Sequence, residues 1–265
     1  MKRHGASRLL RRLWPHRGRL LIVVDDAGWI LDEVGRGLAS HLPRELQTRL
    51  VTHDWRYATG CTIHFLSRPW AWSDGVLDSV HPSNRLLGLW WHGRVDSPEP
   101  AFREALDRLR RLHDRFDRIQ VTCSSGRETV LAVGVPPEKI VQLPEGVDIT
   151  RFRPAADEEQ RILARRQLGI SQDATAIGCF QKDGDGWGEG LKPKLVKGPD
   201  VLADALEDLK PRCKLQVVIP GPARGYLKKR LSRSGVPFVA PGFVDVFLDV
   251  KDLVVDSQGC LVFDQ

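Results

Sequence analysis

Four lysines, Lys182, Lys192, Lys194 and Lys197, alternate with five glycines, Gly184, Gly186, Gly188, Gly190 and Gly198, in the segment QKDGDGWGEGLKPKLVKG. Glycine lets backbone amides come close to a phosphate, and lysine brings positive charge to a diphosphate that leaves during group transfer. Pro199 suits the first position of a helix, which would set Gly198 at the helix start, where peptide dipoles attract anions. The same loop contains DGDGWGEG, but Trp187 and Lys194 stand where a calcium loop needs oxygen ligands, so that pattern fails. A plain surface loop is the competing reading of the whole segment.

The elements around this loop read as strand, loop and helix: AIGCF before it and VLADALEDL after it. KLQVVIPGPARGYLKKRL repeats the arrangement, a strand ending near Gly221 and a helix from about Tyr226. Arg224 in that turn is a second cation for the same anion. Lys228, Lys229 and Arg230 read as the solvated face of the helix.

Upstream, strands and helices alternate from Leu20. LLIVV ends in Asp25 and Asp26, as a buried parallel strand opening on a ligand crevice would. Asp32 to Leu42 has helical apolar spacing, and further strands are expected at Thr48 to Thr52, Thr62 to Phe65 and Arg85 to Trp90. A charged amphipathic helix from Ala101 to Phe116 precedes the strand IQVTC. The first turn, VDDAGW, lacks GxGxxG, which argues against a nicotinamide or flavin site. Ser125 and Glu128 have capping-box spacing, so a helix is expected from about Gly126 to a left-handed stop at Gly134, with Pro136 and Pro137 beyond it. IVQL is the next strand, and Gly146 is a candidate for a positive φ.

The run RETVLAVGVPPEKIVQLPEGVDITRFRP, taken with AIGCFQKDGDGWGEGLKPKLVKGPDVLADAL, resembles the middle of the GT-B-type glycosyltransferases of family four, also called group 1. The resemblance extends over roughly Leu20 to Val239. It implies an α/β, GT-B-like fold of two Rossmann-like doubly wound parallel-sheet domains, the second truncated. The expected divisions are a basic leader at 1–19, an N-terminal acceptor-side domain at 20–153, a hinge at 154–173 and a partial nucleotide-sugar-binding domain at 174–265. Phe152 would pack beside the hinge.

The resemblance also implies an activity: transfer of a hexose from a nucleotide diphosphate-sugar to a glycan or lipid-linked acceptor, with no metal or other cofactor. By position, Lys182 and Lys197 would contact the donor diphosphate beside Gly198, with Arg224 assisting. His92, after LLGLWW and before Gly93, would face the sugar, donating a hydrogen bond to it. A structural histidine at a strand end fits that position equally well. His53, Trp29 and Trp55 follow strands on the acceptor side, although core packing is the commoner use of any tryptophan. Beyond the position of Val239, family members continue through a further strand and a helix bearing two glutamates with seven residues between them; PGFVDVFLDVKDLVVDSQGCLVFDQ has no glutamate. A catalytically inactive, phosphate- or nucleotide-binding derivative of the lineage is therefore the alternative.

Composition bounds these readings. The 265 residues carry a formal charge of +6 and a pI near 9.2, which favours an anionic partner. Five scattered cysteines form neither a disulfide framework nor a zinc pattern, and the eight histidines lack HExxH spacing. The basic leader, with Leu9, Leu10, Leu13 and Trp14 interleaved, is either solvated or a peripheral contact for an anionic membrane, so the expected location is cytoplasmic, at or near the inner membrane surface. No apolar run reaches the roughly twenty residues of a membrane span. No recognition motif supports nucleic acid as a partner.

Overall fold

The computed structural model describes residues 18–25, 30–66, 71–91, 93–97, 100–146, 149, 155–186 and 188–242. The leader up to residue 17, Trp29, His92, Phe152, Trp187 and everything after Gly242 lie outside the described residues. The chain divides into two compact units after Gly146.

The first unit is a six-stranded sheet in the order β2-β1-β3-β4-β5-β6, every pair parallel. Its strands are β1 (Leu20–Val23), β2 (Arg49–Val51), β3 (Thr62–Phe65), β4 (Arg85–Trp90), β5 (Arg118–Val121) and β6 (Ile140–Gln142). Three helices connect them: α1 (Ile30–His41), α2 (Pro100–Leu112) and α3 (Ser124–Ala132). Alternation along β1 feeds both faces. Ile22 and Val24 join Leu66 and Leu89 under Leu31, Val34 and Leu38 of α1. Leu21 and Val23 join Ile63, Phe65 and Trp90 in the larger core, which Leu106 and Leu109 of α2 and Val130 of α3 complete. The sheet is thus doubly wound, and strand order reverses direction between β1 and β3. In such sheets the crevice beyond the carboxyl ends at the reversal is the usual ligand position.

Local details of α3 depart from expectation. The cap is Cys123, in extended conformation, so the Ser125–Glu128 spacing does not mark the helix start. The helix begins at Ser124, two residues before the expected Gly126. Its end behaves as expected, with Gly134 at φ +94° and the Val135 amide donating to the Val130 carbonyl. Gly146 does not adopt a positive φ.

The second unit holds a three-stranded parallel sheet, β7 (Thr175–Gly178), β8 (Leu215–Val218) and β9 (Phe238–Val239), in that order. Helix α5 (Pro199–Leu209) links β7 to β8, and α6 (Gly225–Ser234) links β8 to β9. Ala203 and Leu206 of α5, with Leu227 and Leu231 of α6, bury against Leu215, Val217 and Ile219. The segment expected to be a hinge contains a further helix, α4 (Glu158–Gln167). Asp157 caps it by accepting from the Gln160 amide, and Gln160 Oε1 accepts from Ala156 N. Among the described residues, no helix is long and apolar enough to cross a membrane.

Candidate functional site

In the second unit the chain leaves β7 at Gly178 and does not become α-helical until Pro199, and backbone hydrogen bonds join the two arms of the intervening loop. Gly184 and Pro193 form an antiparallel bridge, Asp185 N donates to Lys192 O, and Lys194 N donates to Asp183 O. The loop is therefore a hairpin-like excursion. At its far end Gly186 and Gly188 have open space on the side where a Cβ would sit.

The base of this excursion is docked on the start of α6. Glu189 O accepts from Gly225 N, Gly190 O from Tyr226 N, and Asp183 Oδ2 from Leu227 N. Three amides that a helix leaves without intrahelical partners are thereby satisfied by the loop. Contact is backbone to backbone, and this is why glycine recurs. A Cβ on Gly184 would meet Gly190 Cα at 2.3 Å, one on Gly190 would meet Ala223 O at 2.3 Å, and one on Gly225 would meet Glu189 O at 2.5 Å. These glycines serve internal close approach, which corrects the expectation that all of them open amides to a phosphate. Ala223 adopts φ +55° in the same turn, and its carbonyl accepts from Gly184 N.

Arg224 is the clearest correction. Its guanidinium points inward, only 3% exposed, and donates from Nε to Pro220 O, from Nη2 to Cys179 O, and from Nη1 to Asp183 Oδ1 and Gln181 O. A fork so occupied cannot reach a diphosphate in solvent. Burial raises the Asp183 carboxyl, against the opposing pull of the Leu227 amide and Arg224.

Lys182 lies half-buried between Gln181 and Asp183. Lys197 is exposed and ends a single 3-10 turn, Leu195–Lys197, immediately before α5. Gly198 follows in the left-handed conformation, φ +63° and ψ +34°, and Pro199 occupies the first helical turn as expected. Gln181 Nε2 donates to the Lys197 carbonyl at 2.6 Å, so the two arms of the loop are strapped together next to both lysines. The start of α5 has no side-chain cap, and its Asp200 and Val201 amides have no acceptor within the helix. Asp200 sets one negative charge there against Lys182, Lys194, Lys197 and the helix dipole. Lys192 is turned to Asp185, at 3.2 Å.

In the first unit, Trp55 belongs to the core. It is 0% exposed, stacks edge-on against Phe65 with ring centroids 5.2 Å apart, and donates from Nε1 to Thr52 O. An acceptor platform needs an open ring face, so that expectation is corrected. His53 is half-buried just before the turn Asp54–Tyr57. Hydrogen bonds from Ser125 and the Gly126 amide lower the Cys123 thiol below its ordinary value. Among the described residues, no three His, Cys, Asp or Glu side chains are grouped to hold a metal ion. Sequence reasoning missed Gln181 and Asp183; the one available signal was an acid, Asp183, flanked by a lysine and a glycine.

No family model matches the chain. Several D-inositol 3-phosphate glycosyltransferases do match by sequence. That of Streptomyces scabiei is 34% identical over 141 residues, 51% of this chain and 28% of the relative. That of Kineococcus radiotolerans is 32% identical over 143 residues, 49% of this chain and 28% of the relative. The chain thus aligns with little more than a quarter of the length of these relatives. Among solved structures, Anabaena Alr3699/HepE in complex with UDP superposes with a TM-score of 0.61 at 15% identity, covering 89% of this chain and 71% of that one. The two parallel sheets thus have the GT-B-like fold of that solved structure, and about half of the sequence is similar to part of the D-inositol 3-phosphate glycosyltransferases.

Proposed function

We propose that the chain transfers a hexose from a nucleotide diphosphate-sugar to a glycan or lipid-linked acceptor. The observation that carries this reading is the start of α5. Lys197 directly precedes a left-handed Gly198 and a first-turn Pro199, and Gln181 ties that point to the segment bearing Lys182. Breaking the bond between the anomeric carbon and the donor oxygen leaves a nucleoside diphosphate with growing negative charge. Lys182, Lys197 and the dipole of α5 lower the energy of that charge, in the role a bound cation would otherwise fill. The UDP bound by HepE is a ligand of the class this chemistry needs. His92 and Trp29 enter the reading from their positions in the sequence, as the residues that would orient the sugar and meet the acceptor.

Calorimetric titration of the purified chain with UDP, GDP and their sugar conjugates tests this, with Lys197→Ala as the comparison. Saturable binding that the substitution weakens by about tenfold or more supports the reading. A folded chain that binds no nucleotide overturns it. Hydrolysis or transfer of the donor sugar then separates an enzyme from a binding protein of the same lineage.

A further inference from the structure

The mechanism above uses two lysines and one helix start, yet the most heavily bonded groups of the loop face inward. Arg224 donates to the carbonyls of Cys179 and Gln181 and to the Asp183 carboxylate, three residues that lead into and out of Lys182. Asp183 in turn accepts from Leu227 N at the start of α6. On the other arm, Gln181 Nε2 donates to the carbonyl of Lys197. Lys182 is therefore bracketed by two anchored residues, and one of these also holds Lys197. The start of α6, which would otherwise attract an anion, has its amides taken by Glu189, Gly190 and Asp183. Of the two helix starts that flank this loop, α5 is left to receive a ligand, and α6 holds the loop.

We propose that Gln181 and the buried Asp183–Arg224 pair are positioning residues that align Lys182 and Lys197 as a two-lysine clamp for a diphosphate. This inference rests on the donor-site reading. None of the three touches the ligand; they fix the loop backbone before it arrives, so that little ordering remains to oppose binding. A diphosphate, spanning two phosphoryl groups, needs both lysines in register, whereas a monophosphate needs only one.

Gln181→Leu is the discriminating variant, since Gln181 is partly exposed and its loss leaves the buried ion pair intact. UDP, GDP and UMP are titrated calorimetrically into the wild type and this variant, with thermal unfolding recorded for both. The expected result is a diphosphate affinity lowered about tenfold, UMP affinity within about twofold, and an unchanged midpoint. Arg224→Lys, which keeps the charge but loses the planar fork, is expected to lower diphosphate affinity likewise wherever it folds. Unchanged diphosphate affinity in Gln181→Leu, or equal losses for UDP and UMP, would overturn the positioning role while leaving the donor site standing. A wild type that binds neither UDP nor GDP would overturn the donor-site reading, and the clamp with it.

Discussion

The Asp183 carboxylate lies 3.0 Å from Nη1 of Arg224, and both side chains are sealed from solvent. Such a pair is costly to form, because both charges lose water, and still more costly to halve. Removing the carboxylate leaves a buried guanidinium with no counter-charge and a Leu227 amide with no acceptor. Asp183→Ala is expected to destabilise the second unit by about 3 to 5 kcal/mol in urea unfolding. Wild-type stability in that variant would mean that solvent already reaches the pair.

Two glycines of one loop provide an internal contrast. Both Gly186 and Gly190 have positive φ, +73° and +70°, so alanine is strained at either. Only at Gly190 would the new Cβ also meet backbone, the Ala223 carbonyl at 2.3 Å; at Gly186 it meets nothing. Gly186→Ala is expected to cost about 1 kcal/mol and Gly190→Ala at least about 3 kcal/mol, with loss of nucleotide binding only in the second. Equal costs would show that the loop base is not docked on α6.

The sheets were legible in the chain, since Thr62–Phe65 alternates polar Thr62 and His64 with buried Ile63 and Phe65 and Arg85–Trp90 is largely apolar, and their bounds match the reading to the residue. Helix α4 was not, because EEQRILARRQ is strongly charged and reads like a solvated linker until Asp157 and Gln160 are seen to cap it. Arg224 shows why side-chain roles are harder to read than elements. A basic residue in a glycine-rich turn has the same local sequence whether it faces a ligand or the core. Its direction is decided by Asp183, 41 residues away. The start of α5 at Gly198 and Pro199 was legible because it depends on local backbone conformation, which glycine and proline encode directly.

Trp55 carries a prediction about what it does not do. Buried against Phe65, it is expected to cost about 3 to 5 kcal/mol when replaced by alanine. Trp55→Phe keeps most of the volume and loses the Nε1 bond to Thr52, so about 1 to 2 kcal/mol is expected. Acceptor affinity in the folded Phe variant should equal that of the wild type. A selective loss of acceptor affinity, with stability retained, would return Trp55 to the binding site.

His64 on β3 makes the first unit sensitive to acid. Its Nε2 is buried with no hydrogen-bond partner among the described residues, and burial pushes its pKa down to about 4. Above pH 6.5 the imidazole is neutral in both folded and unfolded chains, so pH has no effect through it. Below that, the unfolded chain takes a proton that the folded one refuses until about pH 4, and stability falls across this window. The loss from this group should be about 2 kcal/mol at pH 5 relative to pH 7.5. Urea midpoints at the two pH values, for wild type and His64→Leu, measure it. An identical pH dependence in both would show that His64 is solvated.

The lysines of the loop should separate by function in the same titration. Lys192 stands 3.2 Å from Asp185 with its side chain 82% exposed, an ion pair of little energetic weight. Lys192→Ala should leave UDP affinity within about twofold and stability within about 0.5 kcal/mol of wild type. Lys197 stands at the start of α5, where its charge adds to the helix dipole, and Lys197→Ala should weaken UDP by about tenfold or more. Because that attraction is between exposed charges, wild-type affinity should also fall between 0.05 and 0.5 M salt, roughly as screening shortens from about 14 to 4 Å. The Lys197→Ala variant has lost one of those charges, so its affinity should depend less steeply on salt. Equal effects of the two substitutions would mean that the loop attracts nucleotides only by its net charge, without a defined phosphate position.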